Sequence, residues 1–140
     1  MSSQDLGLVN YSPEPHSVEL REIPRATIGD DQVLMEVQAI GVCGSDLHMW
    51  TAQQSWQVNY PVVLGHEFCG TIAAVGEKIT DLTVGERVVA GNPAKTCGNC
   101  HHCRAGNPFM CKHRVSMGFM INGAFARYAC VQRHAIHRIP

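Results

Sequence analysis

Gln32–Ile40 reads QVLMEVQAI, and its alternation decides the fold. Val33, Met35, Val37 and Ala39 fall on one face, and Leu34, Glu36, Gln38 and Ile40 on the other. A period of two is the mark of a β-strand, in which successive side chains point to opposite sides. Shorter β-branched runs lie on either side: HSVELREI (16–23), CGTIAAVG (69–76), ERVVAG (86–91), AFARYACV (124–131) and AIHRI (135–139). Turn residues mark most of the breaks, as in IGDD, VGEK, TVGE and INGA. Six or seven short strands between such turns predict a mainly β chain folded as a closed or partly open barrel.

The clearest helical stretch is SDLHMWTAQQ (45–54). Ser45 and Asp46 are good N-cap types, and Leu47, Trp50 and Ala52 would form a short apolar side. There is no internal repeat or low-complexity run, so residues 1–140 read as one domain. At 140 residues and 45% hydrophobic, the chain can bury a real core. A formal charge of −1 offers no general attraction to nucleic acid or anionic membranes. Met1–Asp5 is mostly polar with no apolar run behind it, unlike a secretory signal, and no stretch is long enough to span a bilayer. The expectation is a soluble, cytoplasmic protein without a membrane or nucleic-acid partner.

Seven cysteines are unevenly placed. Cys97, Cys100, Cys103 and Cys111 crowd into TCGNCHHCRAGNPFMC (96–111), whereas Cys43, Cys69 and Cys130 stand apart. That distribution reads as a metal site plus ordinary thiols, not as a disulfide framework. Cys69 and Cys130 are taken as small buried hydrophobes. The cluster spacing is C-x2-C-x2-C-x7-C, which lets successive thiolates turn back on one ion. A bacterial ferredoxin pattern would close with C-x3-C-P, whereas here the last gap is seven residues and Lys112 follows. Zinc held by four thiolates has no open position, so this clip is expected to be structural. Lys95, Arg104, Lys112 and Arg114 would offset its surplus negative charge. A basic knuckle is also what a nucleic-acid binder shows, but the near-neutral total charge and 6% aromatic content speak against one. His101 and His102 are read as exposed neighbours of the clip, and His16, His113, His134 and His137 are given no site role.

Two further stretches carry ligand types. GVCGSDLH (41–48) sets Cys43 at the end of the long strand, and YPVVLGHEFCG (60–70) sets His66 and Glu67 after a Pro- and Gly-bounded turn. Singly, each has a bland explanation: a lone cysteine is more often a buried thiol, and Gly-His-Glu is a weak motif.

Together with LTVGERV (82–88) and the four-cysteine spacing, they occur in an order that resembles the zinc-dependent medium-chain alcohol and polyol dehydrogenases. The flavour is that of the sorbitol, butanediol and threonine branch. The resemblance runs from about residue 20 to the end and implies the GroES-like catalytic domain of that family, a partly open barrel with short helices and a four-cysteine zinc loop. It also implies site roles. Cys43 and His66 match ligands of a catalytic zinc, and Glu67 a glutamate beside it. Ser45 matches a hydroxyl that takes the alcohol proton, and His48 a histidine that passes it to solvent. Asp46 matches a carboxylate that orients the histidine ligand. By resemblance and apolar character, Trp50 and Phe119 would wall the substrate site, while Met120 is as well explained by packing. For His48 the bland alternative is a solvated helix residue; for Ser45 and Asp46 it is a plain helix cap, which is compatible with the site roles.

The implied activity is oxidation of a secondary alcohol or polyol with NAD or NADP as hydride acceptor, in a homodimer or homotetramer. The family's doubly wound cofactor domain carries a glycine-rich turn, and G-x-G-x-x-G is absent from this sequence. Gly44 stands where some relatives carry an arginine for the cofactor phosphates. The chain therefore reads as a fragment, expected to be inactive alone. A non-catalytic GroES-like scaffold is the other alternative, and it leaves Cys43, Ser45, Asp46, His66 and Glu67 without a joint explanation.

Overall fold

The computed structural model describes residues 4–92 and 94–140. The polar opening Met1–Ser3 therefore lies outside the described residues. Among the described residues there are eight strands: β1 (Gln4–Asn10), β2 (Val18–Pro24), β3 (Gln32–Ile40), β4 (Val62–Val63), β5 (Phe68–Val75), β6 (Arg87–Ala90), β7 (Tyr128–Gln132) and β8 (Ile136–Arg138). Two short helices are α1 (Gly44–Trp50) and α2 (His101–Arg104). The strand read from Gln32–Ile40 has those same bounds. β1 and β4 are additions to the expected set. The first is interrupted by Gly7, and the second is only two residues long.

The strands form an antiparallel five-stranded sheet in the order β7-β3-β5-β6-β8 and a three-stranded sheet β2-β1-β4. Connectivity shows that the larger sheet curls. β7 and β8 occupy its two edges, yet only Arg133–Ala135 separates them. Four residue steps reach at most ~14 Å, whereas the edges of a flat five-stranded sheet lie roughly 19 Å apart. The sheet therefore bends until its edges approach. No β7–β8 pairing is made among the described residues, which leaves a partly open barrel, as expected.

Val33 and Met35 from β3, Phe68 and Ile72 from β5, Val88 from β6 and Val131 from β7 fill the inside. The alternation in β3 holds as far as Val37. Between Val37 and Ala39 the pairing with β5 shifts register, and Gln38 and Ala39 are exposed. A bulge at this end turns the chain out of the sheet toward α1.

A second, smaller cluster holds α1. Met49 packs with Val62 and Leu64, and Val58, Phe119 and Phe125 cover it. The expected apolar side of this helix is corrected here: Leu47 and Trp50 are exposed, and the buried positions are Asp46 and Met49. These two are three residues apart and share a face, so the helix turns its carboxylate inward together with its methionine. Its N-cap is Cys43, in place of Ser45 or Asp46; the Asp46 carboxylate accepts the Cys43 backbone N–H at 2.9 Å. Cys69 and Cys130 are likewise only half-buried.

Candidate metal centre

The β3–β5 ladder explains how distant ligands meet. Its last pair is Ile40 with Phe68, and beyond it the Gly41 N–H donates to the Glu67 carbonyl at 2.7 Å. Cys43 follows Ile40 by three residues and His66 precedes Phe68 by two, so both leave the same end of the same strand pair. Gly65 makes the turn into His66 possible. Its φ is +94°, and a Cβ there would lie 2.8 Å from the Phe125 backbone nitrogen.

One ligand atom each from Cys43, His66 and Glu67 lie within 4.8 Å of one another. Cys43 and His66 are half-buried and Glu67 is exposed. A thiolate, an imidazole and a carboxylate are a zinc donor set that leaves a fourth position open. The surroundings fit such an ion. His66 Nδ1 faces Asp46 Oδ1 at 3.7 Å, and neither buried atom has a hydrogen-bond partner. With Nδ1 turned to Asp46, Nε2 is the nitrogen presented on the other side, 3.2 Å from Ser45 Oγ. A carboxylate behind a ligand histidine sets its tautomer and orientation.

Above this group opens a cleft of about 450 Å³, a usual size for a small-molecule site. Ser45 and His66 lie in it, walled by Trp56, Phe119 and Met120. The Phe119 ring is 4.8 Å from the His66 ring and 5.7 Å from Trp56. Phe119 thus lines the cleft. Trp50 does not: it stands 45% exposed on the far end of α1, edge-on to His16 at 4.8 Å. The indole in the cleft is Trp56, which sequence reading missed. Its one signal was a tryptophan in a mostly polar loop, QQSWQVNY. His48 is exposed, edge-on to Trp56 at 6.3 Å, and no hydrogen bond joins it to Ser45 among the described residues.

Cys97, Cys100, Cys103 and Cys111 form a separate group, with all four sulfurs within 4.8 Å. The Cys97–Cys111 and Cys97–Cys103 separations are 3.5 and 4.0 Å. Zn–S bonds of about 2.3 Å in a tetrahedron place sulfurs roughly 3.8 Å apart, and a disulfide would need about 2.05 Å. All seven cysteines are free thiols. Backbone N–H groups of Asn99 and Cys100 lower the Cys97 thiol to about 6. Burial and then the neighbouring thiols raise Cys103 to about 11. Four thiols so placed cannot all ionise without a cation, and a zinc ion is the cation that this donor set fits. The neck of the loop is closed by backbone hydrogen bonds between Lys95 and Val115. His101 and His102 are exposed on α2.

Comparison with known proteins agrees with this architecture. The family described as the alcohol dehydrogenase GroES-like domain matches residues 29–140. The L-threonine 3-dehydrogenase of Cutibacterium acnes is 37% identical over 137 residues, covering 95% of this chain and 39% of that protein. The sorbitol dehydrogenase of Halalkalibacterium halodurans is 39% identical over 121 residues, covering 86% of this chain and 35% of that protein. Among solved structures, one from Sinorhizobium meliloti 1021, described as a zinc-binding dehydrogenase and bound to NADP, superposes with a TM-score of 0.89 at 31% identity. It covers 99% of this chain and 39% of its own. The chain thus spans about two fifths of the length of the curated relatives it matches. Because the family match runs through residues 29–140, most of its length, this chain belongs to the alcohol dehydrogenase GroES-like domain family.

Proposed function

We propose that the chain is the zinc-bearing catalytic domain of an NAD(P)-dependent dehydrogenase that oxidises a secondary alcohol or polyol. The observation that carries this reading is the convergence of Cys43, His66 and Glu67, with His66 lining a cleft that also holds Ser45. Cys43 Sγ, His66 Nε2 and a Glu67 carboxylate oxygen would hold the zinc. Bound there, zinc supplies Lewis acidity to an alcohol oxygen.

The chain's own groups do the rest. Ser45 Oγ, beside His66 Nε2, would take the hydroxyl proton while giving up its own. His48, exposed and edge-on to Trp56, would receive that proton through intervening water, since no hydrogen bond joins it to Ser45 among the described residues, and hand it to solvent. Asp46 keeps the proton of His66 on Nδ1, so that Nε2 stays a free donor pair. Trp56, Phe119 and Met120 exclude water from the reacting carbon. Cys97, Cys100, Cys103 and Cys111 hold a second, structural zinc that shapes the loop beside the cleft. NAD or NADP is the hydride acceptor, and the whole enzyme is a cytoplasmic homodimer or homotetramer.

The test is diffraction at the zinc absorption edge from zinc-equilibrated crystals. Two anomalous peaks are expected, one among the four sulfurs and one touching Cys43 and His66. Absence of the second peak under zinc saturation would sink the reading.

A further inference from the structure

The cleft wall holds a charge that the chemistry above leaves unused. Arg114 lines it, together with Gln57, Asn92 and Ser116, and no aspartate or glutamate lines it among the described residues. Four other arginines, Arg21, Arg127, Arg133 and Arg138, each pair with a carboxylate, whereas Arg87 donates to the Pro140 carbonyl and Arg25 lies over the Tyr128 ring. Arg114 has no carboxylate partner among the described residues. Its Nη1 donates to the Phe109 carbonyl at 2.6 Å, which ties the guanidinium to the turn Pro108–Met110. One donor of five is thereby used to fix its direction, and on this exposed side chain the other four are open to solvent or to a ligand. A held guanidinium is a preorganised fork for a planar anion such as a carboxylate.

We infer that the cleft selects hydroxy acids over neutral alcohols, with Arg114 receiving the substrate carboxylate while its hydroxyl lies toward Ser45 and His66. This rests on the alcohol-site reading above and deepens it. Gln57 and Asn92 would add amide donors around the same group. Offsetting the cysteine cluster is a second role open to a cation three residues after Cys111, and metal content separates the two.

The experiment measures binding to the zinc-loaded chain by calorimetry. Lactate, 3-hydroxybutyrate and 4-hydroxypentanoate are each compared with the matched diol, in which the carboxylate is replaced by a hydroxymethyl group. At least one acid is expected to bind about 10-fold or more tighter than its diol, as befits a charge-assisted pair. Arg114→Gln should abolish that preference, leaving the diol affinity and the zinc count unchanged. Arg114→Lys should restore part of it. Equal affinity for acids and diols overturns the inference and leaves the alcohol site standing. Failure of every acid and diol to bind overturns both. A preference that survives in Arg114→Gln, a loss of zinc in that variant, or tighter binding of 2′,5′-ADP than of any acid through Arg114 also overturns it. The last outcome would assign the guanidinium to a phosphate.

Discussion

Asp46 Oδ1 lies 3.7 Å from His66 Nδ1, at the one place where a carboxylate of α1 is buried against a ring from the β4–β5 turn. Both atoms are inaccessible and unpartnered, and a small approach makes one good hydrogen bond of two orphans. The same carboxylate already accepts the Cys43 N–H through its other oxygen. One side chain thus braces two residues of the proposed zinc site.

Asp46→Asn should therefore weaken zinc at the His66 site by ~10–100-fold, since an amide holds the ring but not its tautomer. Competition with a chromogenic chelator would resolve this loss from the four-cysteine site, whose affinity should not move. Equal weakening of both sites would show a global effect instead.

Removing one sulfur should act on the other metal. Cys111→Ser is expected to lose one zinc per chain and to raise amide hydrogen exchange over residues 96–114, with β3 and β5 unchanged. In metal-stripped protein at pH 7, iodoacetamide should label Cys97 well before Cys103. The first thiol, at about 6, is ionised there, and the second, at about 11, is not. Peptide mass spectrometry after short pulses reads the order directly.

Gly65 and Gly85 have nearly the same φ, +94° and +93°, in different surroundings. A Cβ on Gly85 meets nothing, so Gly85→Ala should cost only backbone strain, about 1–2 kcal/mol. At Gly65 the Cβ would press on Ile40 and on the Phe125 backbone. Gly65→Ala should lower the urea midpoint further and also displace His66, seen as weaker zinc binding. Matching midpoints for the two variants would refute the steric argument.

Acid sensitivity should trace to Asp81. Hydrogen bonds from Arg133 hold its carboxyl below the usual range, and they tie the β7–β8 connection to the loop before β6. A lowered folded-state pKa contributes stability that is present above the unfolded value, ~3.9, and is lost as pH falls through the folded value. The urea midpoint of Asp81→Asn should lie below that of the unsubstituted chain at pH 6 and converge with it as pH drops below about 4. A constant gap across that range would assign the difference to something other than ionisation.

The alternation in Gln32–Ile40 and the cysteine spacing were legible because both are local. A strand's two faces and a ligand loop's turns depend on neighbours within a few residues, so β3 and the clip could be read from the sequence before any contact was known. β1, broken by Gly7, carries no such periodicity, and its edge-to-edge pairing with β2 and β4 becomes visible only when partners are in place.

The two indoles show the boundary most plainly. By chain position Trp50 stands beside Ser45 and His48, yet the 3.6-residue helical repeat turns it away, and a loop brings Trp56 into the cleft instead. Residue types and short spacings determined which chemistries this protein could hold. Only the register of β3 against β5 decided that Cys43 and His66 share one of them, because strand pairing sets distances that sequence separation does not.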